Sequence, residues 1–282
     1  MGIVLKAAAA LLLILLIVLA ARMLAGNNGA GSAEELPDEK RRRGIRGKYE
    51  RSITRTAAGI ANVRNERVRG AKAKPAGRIT RAVIRKNRQF NEQYPAFAGY
   101  IGKQSGGGPA DSLRYGIFRM SFNGCEVIAV YNLLKYFGKD TDIRDVAAEI
   151  AEKGHVLLGG FGTRPDSMRD YLEDVLVEER RHGGIFSDYK ARAMLYPASR
   201  KEDFDAILEK NEAGILTFWN GERKWSIHTV MLHRTEKGGI RVYNQYTNVV
   251  YCEYASVEHF LRNQGRPYLP ISLIVIQKQT SE

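Results

Sequence analysis

The sequence predicts an α+β domain in which an N-terminal group of helices packs on an antiparallel β-sheet. From Arg114 onward, segments with helical spacing of apolar residues come first, and segments with strand-like patterns follow. The chain has 282 residues, of which 44% are hydrophobic, so it can build one sizeable core. Its formal charge of +13 is concentrated in residues 40–90, which hold 18 Lys or Arg against two Glu. We therefore expect residues 1–26 to be a signal anchor or signal peptide, residues 27–112 a basic linker, tether or pro-segment, and residues 113–282 the folded domain.

An uninterrupted apolar run near the N-terminus predicts a membrane-directed segment. It extends from Ala7 to Ala21, or to Ala25 if Arg22 reaches toward the lipid headgroups. A helix that spans the membrane needs about 20 apolar residues, whereas the apolar core of a signal peptide has roughly 7–15. The length of this run lies between these two values. The run has no polar face, which argues against a helix of the protein core. We expect residues 3–25 to anchor the protein in the cell membrane as a single pass with the domain outside, and the alternative is secretion after cleavage of the signal.

The basic segment, residues 40–90, predicts a surface for an anionic partner. A thin apolar stripe with helical spacing runs through it at Ile45, Tyr49, Ile53, Ala57, Ile60 and Val63. Anionic lipids, acidic wall polymers or nucleic acid phosphates would suit such a helix, but the segment has no motif for sequence-specific recognition of nucleic acid. The alternative is a solvated tether or a pro-segment. The glycine-rich stretch from Gln104 to Asp111 is expected to close this region as a linker.

The central element of the domain is a predicted helix that follows Asn123 and Gly124. Apolar residues at positions 127, 130, 131, 134 and 137 have helical spacing, and Gly138 is expected to end the helix. This arrangement places Cys125 in the first helical turn. Unpaired N–H groups and the helix dipole can lower a thiol pKa there from about 8.5 to roughly 3.5–7.5. Cys125 is therefore a candidate nucleophile, and the alternative is a small buried apolar residue.

The remaining elements follow from spacing, caps and turn residues. We predict further helices at Asp142–Ala151, Asp166–Val177, Lys201–Lys210 and Ser256–Arg262, and strands at Gly214–Trp219, His228–His233, Ile240–Asn244, Val249–Tyr254 and Leu269–Gln277. The turn from Gly159 to Gly162 lacks the Gly-Lys-Ser/Thr of a phosphate loop, and two cysteines 127 positions apart form no metal knuckle. Neither a cofactor nor a metal ion is therefore predicted. A disulfide between Cys125 and Cys252 would consume the nucleophile.

Five histidines compete for the role of general base. His155, His182 and His259 are expected to be exposed to solvent. His228 and His233 lie on one predicted strand, and their odd separation places them on opposite faces, so only one can face the cysteine. If the following loop is Arg234 to Gly238, His228 lies directly opposite Asn244, whose amide oxygen could then orient the imidazole. A three-residue loop would keep the faces but displace this pair.

Six short motifs stand out together: Asn123-Gly124-Cys125-Glu126, Tyr136-Phe137-Gly138, Phe204 with Leu208, Gly214-Ile215-Leu216, His228-Thr229-Val230 and Val242-Tyr243-Asn244. With these motifs the chain resembles the papain-like cysteine peptidases related to those that remove double-glycine leaders from bacteriocins. The similarity extends from about Arg114 to Gln277 and does not include the basic segment.

The resemblance implies a papain-like fold and a peptidase that acts on a peptide or amide substrate. It implies that Cys125 is the nucleophile, His228 the general base and acid, and Asn244 the orienting residue. The chain departs from the family because no Gln lies between Gln104 and Cys125 to bind the oxyanion, and because Asn244-Gln245 stands where Asp-Pro is common. Asn123 or Ser121 is the candidate for the missing oxyanion donor, although Asn123 also suits a plain turn. The alternative functions are an inactive papain-like binding module and a binder of polyanions or membrane surfaces through the basic segment.

Overall fold

A computed structural model describes most of the chain from residue 78 onward. The described residues are 78–156, 162–186, 191–200, 202–220, 227–245, 247–263 and 268–278. The predicted membrane segment and the greater part of the basic segment therefore lie outside them. Within the described ranges, every helix is too short or too polar to traverse a lipid bilayer.

Helices and strands alternate in groups along these residues. The helices are α1 (Arg78–Asn91), α2 (Met120–Asn123), α3 (Cys125–Tyr136), α4 (Ile143–Glu152), α5 (Pro165–His182), α6 (Phe204–Asn211) and α7 (Val257–Arg262). The strands are β1 (Arg114–Tyr115), β2 (Phe118–Arg119), β3 (Arg192–Pro197), β4 (Ala213–Trp219), β5 (Ile227–Arg234), β6 (Ile240–Tyr243), β7 (Tyr251–Tyr254) and β8 (Leu269–Gln277). This content confirms the predicted α+β class with an antiparallel sheet.

The main sheet has six antiparallel strands in the order β3-β8-β4-β5-β6-β7, and β1 and β2 form a separate hairpin. One face of the sheet, with Ile215, Met231 and Ile274, shares a core with α3, α4 and α5. The other face packs Phe218 and Val230 with residues of α6 and α7. Because both faces are covered, β4 is apolar along almost its whole length instead of alternating.

Helix α3 is the buried axis of the helical layer. Nine of its twelve residues are buried, from Cys125 to Leu134. The helix ends at Tyr136, and shortly after it Gly138, which has φ +86°, donates its N–H to the carbonyl of Lys135. Lys139 then donates to the carbonyl of Leu134, which satisfies a second terminal acceptor. The predicted helix, its position and its C-terminal glycine are confirmed.

Residues that precede the predicted domain boundary at residue 113 pack into the same core. Ile84, Ile101 and Ala110 are buried among the residues of the helical layer. The side chain of Asn132, fully buried in α3, accepts from the Ile101 N–H (2.9 Å) and donates to the Ile101 carbonyl (2.8 Å). The described part of the predicted linker is thus fixed to the folded unit, and the Asn132 bonds determine where the chain from residue 101 onward lies.

One strand and one helix differ from the sequence prediction. Strand β3 was not predicted, because Arg192–Pro197 has no clear alternation: only Ala193 is buried. Helix α5 extends five residues beyond the predicted end and stops at Gly183, which has φ +68°. The charged last turn of α5, with Arg180, Arg181 and His182, obscures the end of the apolar spacing but suits the helix dipole.

Candidate active site

A cleft of about 280 Å³ opens at the N-terminal end of α3. Its lining residues are Lys103, Gln104, Ser105, Ser121, Phe122, Cys125, Ile227, His228, Asn244, Gln245 and Asn248. Three of them, Cys125, His228 and Asn244, are the residues predicted to form the catalytic group. Phe122 and Ile227 are largely exposed, with 71% and 54% of their surfaces accessible, so they present apolar area at the rim.

Cys125 is the first residue of α3, directly after Gly124. A Cβ at position 124 would lie 2.0 Å from the Cγ of Met120, so the sharp connection from α2 to α3 requires glycine. Cys125 is buried, and both it and Cys252 are free thiols. Its Sγ interacts with the backbone and hydroxyl of Thr229 on β5 and with the carboxyl of the neighbouring Glu126.

The prediction that the helix terminus lowers the pKa of this thiol is wrong. Burial raises the pKa of Cys125 well above its ordinary value, and the charge of Glu126 and a hydrogen bond to it raise the pKa further. The bonds from Thr229 act in the opposite direction but are the smaller effects. Removing the thiolate from water therefore outweighs the favourable helix terminus, and Cys125 is a neutral thiol near pH 7.

His228 lies in the same cleft but on the other face of β5. Thr229 contacts Cys125, and side chains alternate along a strand, so the His228 side chain points away from α3. There its ring packs edge-on against Phe218, with the centroids 5.8 Å apart. Its Nε2 donates to the main-chain carbonyl of Asn244 (2.6 Å), which leaves Nδ1 as the acceptor nitrogen of the neutral ring. Burial lowers the pKa of His228 to about 4.

The hairpin register that we used to pair His228 with Asn244 is also wrong. Arg234 pairs with Ile240 and Met231 with Tyr243, so the observed register is shifted by two residues from the predicted one. Asn244 follows the end of β6 with φ +62°, and this turn brings its main-chain carbonyl to the imidazole. The Asn244 side chain instead donates to the carbonyl of Thr229 (3.4 Å). The orienting contact therefore comes from the backbone of the predicted residue.

The two predicted oxyanion donors lie in different surroundings. Asn123 is buried and donates to the carbonyl of Tyr115 (3.0 Å), while Ser121 lines the cleft. Gln104 also lines the cleft, and its amide donates to the carbonyls of Met120 (3.0 Å) and Ser121 (3.2 Å). Sequence reasoning missed Gln104 because it stands 21 positions before the cysteine, in the expected linker. The fold brings it to the cleft because Ile101, three residues earlier, is fixed to α3.

Glu126 is a second site residue that the sequence analysis did not single out. The residue is only partly buried, but its carboxylate oxygen Oε2 is enclosed and has no hydrogen-bond partner among the described residues. The other oxygen, Oε1, lies 2.9 Å from the position that a Cβ at Gly162 would occupy. Burial raises the pKa of Glu126 to about 7, although the N–H groups of Glu126 and Thr163 and the Cys125 thiol favour the ionised form. An acidic residue in the first turn of a helix is ordinary, so no signal in the sequence distinguished it.

The other histidines do not reach the cysteine. His233 faces α3 but stacks on Tyr136 at the opposite end of that helix (4.8 Å) and bonds the hydroxyl of Tyr243 (3.1 Å). His182 and His259 are exposed, as predicted. His155 is buried near Tyr171, so the prediction that it is exposed is wrong. No group of three or more His, Cys, Asp or Glu in the described part of the chain could hold a metal ion.

No model of a known protein family matches this chain, and no curated protein matches it.

Proposed function

We propose that the protein is a cysteine peptidase, a hydrolase of amide bonds that uses Cys125 as its nucleophile on a papain-like fold. The observation that carries the proposal is the position of Cys125, a free thiol at the start of a buried helix and in the wall of an open cleft. The unpaired N–H groups of a first helical turn point toward such a position and favour developing negative charge. The motif resemblance supports the same assignment.

The cleft offers the groups that acyl transfer requires. A peptide carbonyl placed beside Sγ would have the first-turn N–H groups of α3 close to its oxygen, and Gln104 lines the same cleft. Attack by the thiolate forms a thioester and releases an amine, and water then hydrolyses the thioester. The sequence assigns the thiol proton to His228, and this role requires the imidazole to leave Phe218 and turn toward the α3 face of β5.

A catalytically inactive binding module of the same fold is the second candidate function. Two observations favour it: the thiol is neutral, because its pKa is raised by burial, and the imidazole packs on the opposite face of β5. Such a module would bind peptides along the apolar rim of the cleft and release them unchanged.

Cleavage of a peptide mixture distinguishes these two functions. The full chain, Cys125→Ala and Cys252→Ser are incubated with a defined mixture of unmodified peptides, and new termini are identified by mass spectrometry. We expect the same products from the full chain and from Cys252→Ser, and none from Cys125→Ala. Products that persist in Cys125→Ala, or no products from any of the three proteins, would refute the peptidase and leave the binding module.

The proposal includes a position at the cell membrane with the domain outside, based on the apolar residues 3–25. Secretion after signal cleavage is the alternative. Residues 40–90 would add attraction to an anionic surface or polymer. Deleting residues 3–25 should move the protein from the membrane fraction to the soluble fraction. Deleting residues 40–90 should remove the salt dependence of binding to anionic vesicles, and an unchanged dependence would contradict the assignment.

A further inference from the structure

We propose that the carboxylate of Glu126, and not the imidazole of His228, takes the thiol proton from Cys125. The inference rests on the proposed function, because it assumes that Cys125 is the nucleophile. It assigns a catalytic role to a residue whose carboxyl hydrogen-bonds the reacting sulfur, although Glu126 is not among the residues that line the cleft.

The geometry around Sγ leads to this assignment. The Glu126 carboxyl interacts directly with the Cys125 thiol, whereas His228 lies on the opposite face of β5. Gly162, with φ +79°, leaves room for Oε1, since any Cβ there would approach it to 2.9 Å. Oε2 is enclosed without a hydrogen-bond partner among the described residues. A buried acceptor with unused capacity therefore lies beside the group that must lose a proton.

The proton affinity of the carboxyl suits the task. Burial raises the pKa of Glu126 to about 7, which is close to the value at which a group both accepts and returns a proton efficiently near neutral pH. The pKa of His228 is lowered to about 4, so its neutral ring is a weaker acceptor.

Few other titratable groups face the Cys125–Glu126 pair from the described elements around it. β1 contributes Tyr115, which bonds Thr163 and whose pKa is raised by burial, so it stays neutral. His228 of β5 lies on the opposite face of that strand, and at the start of α5 Asp166 is paired with Arg164 (2.8 Å). Neither α2 nor β4 contains a titratable side chain. The proton is therefore exchanged mainly between Cys125 and Glu126.

The reaction balances without another reactant. The Sγ proton moves to the Glu126 carboxylate, the thiolate attacks the carbonyl carbon, and the C=O electron pair moves to oxygen. The oxyanion then re-forms the carbonyl, the C–N bond breaks, and the leaving nitrogen takes a proton from a water molecule. The resulting hydroxide attacks the thioester, the C–S bond breaks, and the released thiolate takes its proton back from Glu126.

The pH dependence of thiol alkylation tests the assignment. The full chain carrying Cys252→Ser has one thiol, and its reaction with iodoacetamide is followed from pH 5 to 9. If Glu126 takes the thiol proton, the alkylation rate rises up to about pH 7 and then levels off. Above pH 7 the thiolate forms by proton transfer within the pair, and this transfer does not depend on the pH of the solvent. In Glu126→Gln this step disappears, and the rate rises about tenfold per pH unit across the range, as for a simple thiol.

Two control variants make the result specific. His228→Asn should keep the step near pH 7. Glu149→Gln should also keep it, because Glu149 is a carboxylate that accepts from the Tyr171 hydroxyl (2.7 Å) and does not contact Cys125. A step that survives Glu126→Gln but vanishes in His228→Asn would overturn the inference and leave the peptidase proposal intact. If the peptidase proposal itself is wrong, the peptide mixture yields no cleavage products.

A second measurement keeps Glu126 in place, in case Glu126→Gln does not fold. The carboxyl titration of ¹³C-labelled Glu126 is compared between the Cys252→Ser protein and the same protein with Cys125→Ala. Because the thiol favours the ionised carboxylate, its removal should raise the midpoint of the titration. An unchanged midpoint would show that the two groups do not share a proton, and the inference would fail.

Discussion

Replacing Glu126 by Gln should stabilise the protein above pH 7 and leave its stability unchanged in acid. Burial raises the pKa of this carboxyl from its ordinary value of 4.5 to about 7. The folded state therefore holds a proton that the unfolded chain releases, and stability is lost as the pH rises through this window. At 1.36 kcal/mol for each pH unit of the difference, the loss amounts to about 3 kcal/mol once the carboxyl is ionised.

The measurement is urea-induced unfolding of the full chain and of Glu126→Gln at pH 4, 6 and 8, followed by tryptophan fluorescence. We expect equal free energies of unfolding at pH 4 and a variant more stable by up to about 3 kcal/mol at pH 8. Glu149→Gln is the matched control, because it neutralises a different carboxylate, which accepts a hydrogen bond from the buried Tyr171 hydroxyl. Equal stabilities of the full chain and Glu126→Gln at pH 8 would refute the argument that ionisation of this buried carboxyl destabilises the folded state.

Three further predictions concern the surroundings of the site. The pKa of His228 is lowered from 6.5 to about 4, so stability should fall by up to about 3 kcal/mol as the pH decreases through that window; His228→Gln should abolish the decrease in urea unfolding curves. Gly162→Ala should lower stability by roughly 1–3 kcal/mol, because its φ is positive and the new Cβ would approach the Glu126 carboxylate; thermal unfolding measures this. Asn132→Leu should cost about 2–4 kcal/mol in urea unfolding, because it leaves the buried N–H and carbonyl of Ile101 without their partners.

Each of these predictions has a control or a contradicting result. Gly183→Ala also places a side chain at positive φ, but nothing lies within 4 Å of the new Cβ, so it should cost less than Gly162→Ala. Equal costs would contradict the close approach to Glu126. A His228→Gln protein that still loses stability between pH 6.5 and 4 would show that another group titrates there. An Asn132→Leu protein as stable as the full chain would show that the bonds to Ile101 contribute little.

The sequence predicted the long, well-patterned elements and failed where the outcome depended on contacts between distant segments. Helix α3 and strand β8 were predicted because their apolar residues and bounding turns are local signals. The predicted pairing of His228 was wrong because the residues of the loop between β5 and β6 do not determine the register of these strands to within two residues.

The candidate site shows the same limit of local signals. Cys125, His228 and Asn244 were expected to meet, and they do line one cleft. The sequence could not show that His228 would point to the far face of β5, because that depends on which strand face packs on α3. Gln104 was missed because Asn132 holds the preceding chain against α3, a contact that spans 31 positions.

The strand order also determines how the sheet can form during synthesis. Strand β8 is the last of the described strands to leave the ribosome, but its place is in the interior of the sheet, between β3 and β4. Until it emerges, β4 has only β5 beside it and β3 has no neighbour, so a nascent chain exposes two unpaired edges, of which that of β4 is strongly apolar. Such edges promote aggregation. A chain interrupted before Leu269 would therefore be a substrate for chaperones and proteases rather than a smaller folded domain.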